Sequence, residues 1–158
     1  MSLSARILWL RVAAAIVWLF ALLIWLGIVW GPARAFLTTF LDIAIWPMLD
    51  GQQRLEGREA NMLLAIIAGF SFAIGWFVWT LASDLMPRDP AFARRAIAIA
   101  MGGWFLVDSA GSWLGGAGGN VLLNVGFAVL FLVPALWPDP SPRSADRQRK
   151  TTVTRGST

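Results

Sequence analysis

The stretch Asn61–Ser83, NMLLAIIAGFSFAIGWFVWTLAS, runs for 23 residues without one charged side chain. A helix rises about 1.5 Å per residue, so a bilayer core about 30 Å thick takes roughly 20 apolar residues to cross. The segment therefore reads as a membrane span. Working outward, three more runs have the same character. Upstream, Ile7–Trp30 is interrupted only by Arg11 near its start. Downstream, Ala96–Gly116 carries a single acid, Asp108, and Asn120–Trp137 carries no charge. In a chain of 158 residues the remainder is too short to bury four such helices inside a soluble domain. The fold class expected is all-α: a polytopic membrane protein with a four-helix transmembrane bundle.

Composition supports that reading and removes whole classes of chemistry. Hydrophobic residues make up 58% and charged residues 14%, against roughly 45–50% apolar in an ordinary soluble domain. There is no Cys, His or Tyr. That excludes Cys/His zinc sites, a histidine-ligated haem, a thiol nucleophile and any triad built on imidazole. No G-x-x-x-x-G-K-[ST] phosphate loop occurs. No cofactor, metal site or catalytic residue is expected, and the protein is read as not an enzyme.

Orientation follows from Lys and Arg in the flanks. Arg6 and Arg11 accompany the start of the first span. Arg88, Arg94 and Arg95 lie between the second and third, and Arg143, Arg147, Arg149, Lys150 and Arg155 follow the fourth. Those ten belong on one side, leaving Arg34, Arg54 and Arg58 on the other. Both termini are thus expected in the cytoplasm, with Arg6, Arg11, Arg94 and Arg95 as topology anchors. The net charge of +4 arises from this bias and does not point to nucleic acid. Trp9, Trp79 and Trp137 fall near the inner boundary and Trp30, Trp46 and Trp113 near the outer one, as interfacial indoles do.

The transmembrane domain is assigned to residues 1–137, with spans at about 7–30, 61–83, 96–116 and 120–137. The basic, turn-rich segment 138–158 is expected to be a disordered cytoplasmic tail. Ala33-Arg34-Ala35 resembles a signal-peptidase site, but the uncharged run Val12–Trp30 exceeds the 7–15 residues of a typical signal core. An uncleaved signal-anchor is expected. The outer connection opens with PARAFLTTFLDIAIWP, where Phe36, Phe40 and Ile43 recur at helical spacing between Pro32 and Pro47. This predicts an interfacial helix over about 33–46, followed by a turn at Asp50-Gly51. Asp89 before Pro90 forms a helix start, so the third helix begins before it enters the membrane. Ala65, Gly69 and Ala73 in the second span, and Gly111 and Gly115 in the third, recur every four residues and are expected at helix contacts, either within the bundle or between two copies. Pro134 denies a donor to the carbonyl of Leu130 and should kink the last span.

Asp108 is the expensive residue. A central Asp costs roughly 2.5–3.5 kcal/mol on insertion scales, so it must face protein or water. Counting about 1.5 Å per residue from Ala96 puts it about 18 Å along its span, in the outer half. Trp104, Asp108 and Ser112 share a helical face, and Asn120 and Asn124 lie one turn apart on the next span. The candidate site is a polar cluster of Asp108, Ser112 and Asn124 with Asn61 and Asn120 at its rim. It reads either as hydrogen-bonded glue between the third and fourth spans or as a ligand pocket. Arg11 differs from Asp108 in depth by roughly 13 Å, so it is expected to snorkel to the cytoplasmic headgroups instead of pairing with it.

Four fragments carry a family likeness: Ile45–Gly51 (IWPMLDG), Leu63–Ile97, Trp104–Trp113 (WFLVDSAGSW) and Gly119–Phe127 (GNVLLNVGF). They resemble a family of small bacterial inner-membrane proteins, some of which carry an excinuclease-subunit label. The resemblance covers about Leu41–Pro134. It implies four spans in a bacterial inner membrane and supplies no catalytic residue. A looser likeness to DoxX-like four-helix membrane proteins rests on architecture alone. Two functions are carried forward. One is a non-enzymatic accessory or interaction subunit, partnered by the bilayer, another membrane protein or a second copy. The alternative is a binder or carrier of a lipid or quinone-like molecule, using a pocket around Asp108 under the outer helix.

Overall fold

Ser2 starts the first helix by accepting the N–H of Ala5 on its hydroxyl at 3.2 Å, and α1 then runs unbroken over Leu3–Val29. Trp30 alone separates it from α2, Gly31–Ala44, whose first turn holds Pro32. α3 covers Gly57–Thr80 and continues as a π-helical turn over Leu81–Leu85. α4, Pro90–Leu114, opens where the sequence predicts, with the Asp89 carboxylate accepting the N–H of Phe92 at 3.0 Å. α5 spans Gly118–Leu136. This computed structural model describes residues 1–138, and they form an all-helical fold with no strand among them. The expected tail, beyond Pro138, lies outside the described residues.

Four helices are long and apolar enough to cross a membrane: Leu3–Val29, Gly57–Leu85, Pro90–Leu114 and Gly118–Leu136. Each exceeds or nearly matches its expected span, because hydropathy marks the lipid-facing part of a helix while caps mark its ends. Large apolar side chains stand exposed on all four, among them Leu19, Phe70, Val107 and Leu122. Only a lipid-like solvent accommodates that surface without penalty.

α1 packs along α3, α4 packs along α5, and α1 also meets α5. The main core is concentrated toward one end, where Leu10, Ala14, Val78, Met86, Ile97 and Phe131 are buried together. A smaller cluster of Ile24, Leu37, Leu64 and Ala68 forms toward the other. α2 folds back against the last turns of α1. Phe40 reaches Phe20 with ring centroids 5.6 Å apart, and the C-terminal carbonyls of α2 press on Gly119 of α5. The amphipathic fifth helix thus exists close to its expected bounds. It also buries Ala33, Leu37 and Ala44 within the protein.

The small-residue stripes make no close helix contact among the described residues. Ala65, Gly69, Ala73, Gly111 and Gly115 are all exposed. Close approach occurs instead at Gly75, where an added Cβ would meet the Trp18 ring at 2.7 Å, and at Gly27 and Gly119. A four-residue period identifies a helix face but not the direction in which it points; the bulky neighbours decide that.

The end of the bundle that holds Arg6 is held by donors to the carbonyls of α5. Pro134 cannot bond back to Leu130, and the indole N–H of Trp9 donates to that Leu130 carbonyl at 3.0 Å. Arg6, only 1% exposed, donates to the Trp137 carbonyl at 2.8 Å. Arg94 donates to the carbonyls of Ala135 and Trp137 at 2.8 and 3.0 Å. Positive charge at carbonyls left open by a helix C-terminus is favourable on two counts, hydrogen bonding and the helix dipole. Arg11 is exposed, donates to the Ser83 hydroxyl at 3.0 Å and lies over the Trp79 ring at 5.4 Å. It remains at the Arg6 end, well away from Asp108, but engages the π turn as well as solvent. Arg95 is exposed.

Candidate functional site

Toward the opposite end, α4 presents Asp108, Ser109 and Ser112 to α5, and α5 answers with Asn120 and Asn124. These positions face each other because α4 and α5 form an antiparallel hairpin turned by Gly115, Gly116 and Ala117. Gly116 takes φ +79, a conformation that disfavours any residue with a side chain. Asn120 Nδ2 donates to Asp108 Oδ2 at 3.1 Å and to Ser112 Oγ at 2.8 Å. Asn124 Nδ2 donates to the same Asp108 Oδ2 and to Ser109 Oγ at 3.3 Å. Asn124 is 4% exposed, so its amide would be an unsatisfied buried group without these partners.

Beside this cluster lies a cavity of about 640 Å³. Asp108, Asn120 and Asn124 border its polar end, with Arg54 of the α2–α3 connection nearby on the wall. Apart from Ser71 of α3, its other walls are apolar: Ile24 of α1, Leu37 of α2, Leu64 of α3, and Trp104 and Met101 of α4 among them. An aromatic chain crosses the lining. Phe40 meets Phe20, Phe20 meets Phe127 at 5.9 Å, and Phe127 takes the Trp104 ring edge-on at 6.4 Å. The cavity exists because α3 and α4 share hardly any contact beyond the π turn, while α2 lies along the gap they leave.

The structure therefore brings Asp108, Ser112, Asn120 and Asn124 into one hydrogen-bonded group and sets Trp104 one turn deeper in the cavity wall. Asn61 is placed elsewhere. Its side-chain oxygen accepts from Arg34 Nη2, and it is not part of the cavity lining. The helix that carries Asn61 is splayed away from α4, so equal depth along the sequence does not become proximity.

Arg34 is the residue that sequence reasoning passed over. From the first turns of α2 it donates to the Gly27 carbonyl at 2.7 Å and the Ile28 carbonyl at 3.3 Å in the last turn of α1. It also donates to Leu55 in the following connection at 2.7 Å and to Asn61 at the start of α3. One guanidinium thus ties three helices and a loop, a task suited to its five fixed donors. The only available signal was a lone cation in an otherwise uncharged half-helix. Ser71 and Arg54, which line the cavity, and Ser109, which accepts from Asn124, were missed as well, because polar residues at these positions are unexceptional until the packing around them is known.

Among the described residues no group of three or more acidic, His or Cys side chains is placed to hold a metal. Comparison with protein families, curated proteins and solved structures finds no match to this chain.

Proposed function

We propose that this integral membrane protein binds a small amphiphilic molecule, a lipid or quinone-like compound, in the cavity beside Asp108, without catalysing a reaction on it. The cavity itself carries the reading. About 640 Å³ falls within the roughly 300–1,000 Å³ of small-molecule sites, and an apolar wall with a few convergent polar groups is their usual chemistry. Interhelical glue alone requires the Asp108–Asn124 bond but no empty volume next to it. In this proposal the protein resides in a bacterial inner membrane with both termini cytoplasmic, following its Arg and Lys bias, so the polar end of the cavity faces the outer leaflet.

Native mass spectrometry on protein extracted from its own membrane tests the idea. A bound small molecule is expected, retained by the parent and lost or weakened in Asp108→Asn that still folds. If neither Asp108→Asn nor Asp108→Leu changes occupancy, the ligand does not touch Asp108, which is then only interhelical glue, and the site assignment fails. If no small molecule copurifies, but a stable protein partner does and is lost on deleting Phe36–Ile45, the accessory-subunit reading replaces this one.

A further inference from the structure

The polar end of the cavity has a chemical sign that the hydrogen bonds reveal. Each side-chain amide of Asn120 and Asn124 spends its Nδ2 twice, on Asp108 Oδ2 and on a serine hydroxyl. On the three residues of this group that face the cavity, the side-chain atoms left without a partner are oxygens: Oδ1 of Asp108, Oδ1 of Asn120 and Oδ1 of Asn124. All three residues border the cavity. An ionised carboxylate oxygen and an amide oxygen accept hydrogen bonds and do not donate them. A ligand group seated there must therefore supply donors, and one that also carries positive charge offsets that of Asp108.

Shape narrows the rest of the ligand. The lining runs from Ala60 to Ile74 on α3 and from Ala117, the N-cap of α5, to Phe131, fourteen residue steps in each case, or about 21 Å of helix. The volume spread over that length leaves a mean section of about 30 Å², enough for one alkyl chain and not for two side by side. The end opposite Asp108 is walled by Val17, Ile74, Met101 and Phe131, and the polar residue nearest to it on the lining is Ser71, a neutral hydroxyl one turn before Ile74. Leu63 and Ile67 line the cavity and are also about half exposed, at 54% and 49%. The gap beside α3 is thus open to whatever surrounds the helices.

Resting on the binding function proposed above, we infer that the occupant is a single-chain amphiphile with a hydrogen-bond-donating headgroup, a primary ammonium foremost and a hydroxyl next. Its headgroup sits against Asp108, Asn120 and Asn124. Its chain runs toward Met101 and Phe131, and it enters from the bilayer through the gap between α3 and α4.

The test offers four probes to the purified full-length protein: hexadecylamine, hexadecanol, hexadecanoic acid and a dipalmitoyl phosphatidylcholine. Native mass spectrometry reads the bound fraction. The amine binds tightest, the alcohol follows, the acid is at least about tenfold weaker than the amine, and the two-chain lipid is not retained. Asp108→Asn weakens the amine about tenfold or more and leaves the alcohol within about threefold, because an amide oxygen still accepts. Ile74→Trp, which fills the apolar end, weakens amine and alcohol alike. Equal binding of acid and amine overturns the headgroup assignment, as does acid binding lost in Arg54→Gln and kept in Asp108→Asn. Retention of the two-chain lipid overturns the single-chain assignment. If none of the four probes binds while a native small molecule copurifies, this inference fails and the binding function stands. If nothing binds and nothing copurifies, both fail.

Discussion

Replacing Arg34 by Ala removes four donated hydrogen bonds at once: those to the carbonyls of Gly27, Ile28 and Leu55 and to Asn61 Oδ1. Bonds from a charged group reach about 1.5–3 kcal/mol each when fully buried. Arg34 is only half-buried, and water at the bundle end replaces part of what is lost. The better scale is that of interhelical bonds in membrane proteins, about 0.6 kcal/mol on average and about 1.7 at most. Four such bonds, one of them long at 3.3 Å, give an expected loss of about 2–3 kcal/mol for Arg34→Ala. Arg34→Lys keeps a positive charge beside the open carbonyls of α1 but gives up the planar fork, so roughly half of that loss is expected. Reversible unfolding in mixed micelles, with added dodecyl sulfate as denaturant, measures both. Hydrogen exchange locates the effect: amides of α2 should exchange faster, while those from Leu10 to Val17 in the main core stay protected. An Arg34→Ala protein within about 0.5 kcal/mol of the parent, with α2 exchange unchanged, refutes the clamp. A Lys variant as unstable as the Ala variant refutes the part assigned to charge at the end of α1.

Three other expectations can be measured by the same unfolding assay. Trp9→Phe leaves the Leu130 carbonyl without the indole donor that compensates for Pro134 and should cost about 1 kcal/mol; adding Pro134→Ala restores a backbone donor, so the double variant should recover part of that loss. Gly119→Ala forces a Cβ onto the backbone carbonyls of Ile43 and Ala44, which cannot rotate aside, and should destabilise by about 1–3 kcal/mol. A variant as stable as the parent would mean that α2 is not seated on α5 as described. Asn124→Leu, similar in volume, strips Asp108 of one of its two amide donors and should lose about 1–3 kcal/mol; combining it with Asp108→Leu should return part of the stability, since an apolar pair needs no partners.

The number of helices and their approximate limits were legible in the sequence because both depend on local quantities. Asn61–Ser83 is long and uncharged whatever surrounds it, and Asp89-Pro90 caps a helix with atoms three residues apart. The pairing of Asp108 with Asn120 and Asn124 was legible for a related reason. A hairpin connection as short as Gly115–Ala117 makes α4 and α5 neighbours in register, so depth counted along the chain predicts contact. The same counting failed for Asn61, whose helix reaches α4 only through the π turn and a longer connection. Nor could counting say which way the small-residue stripes face, because periodicity carries no direction.

By itself, then, the sequence determined four apolar spans, an amphipathic fifth helix, the helix caps and the one acid that had to find partners. Tertiary structure decided that α3 and α4 diverge, that a cavity fills the gap beside Asp108, and that Arg34 closes α1, α2 and α3 together. It also decided that Trp9 and Arg94 satisfy the carbonyls at the end of α5. The division has one physical cause. Burial from water and backbone capping act over a few residues, whereas an empty volume or a multi-armed clamp is created only by where several distant segments stop short of one another or meet.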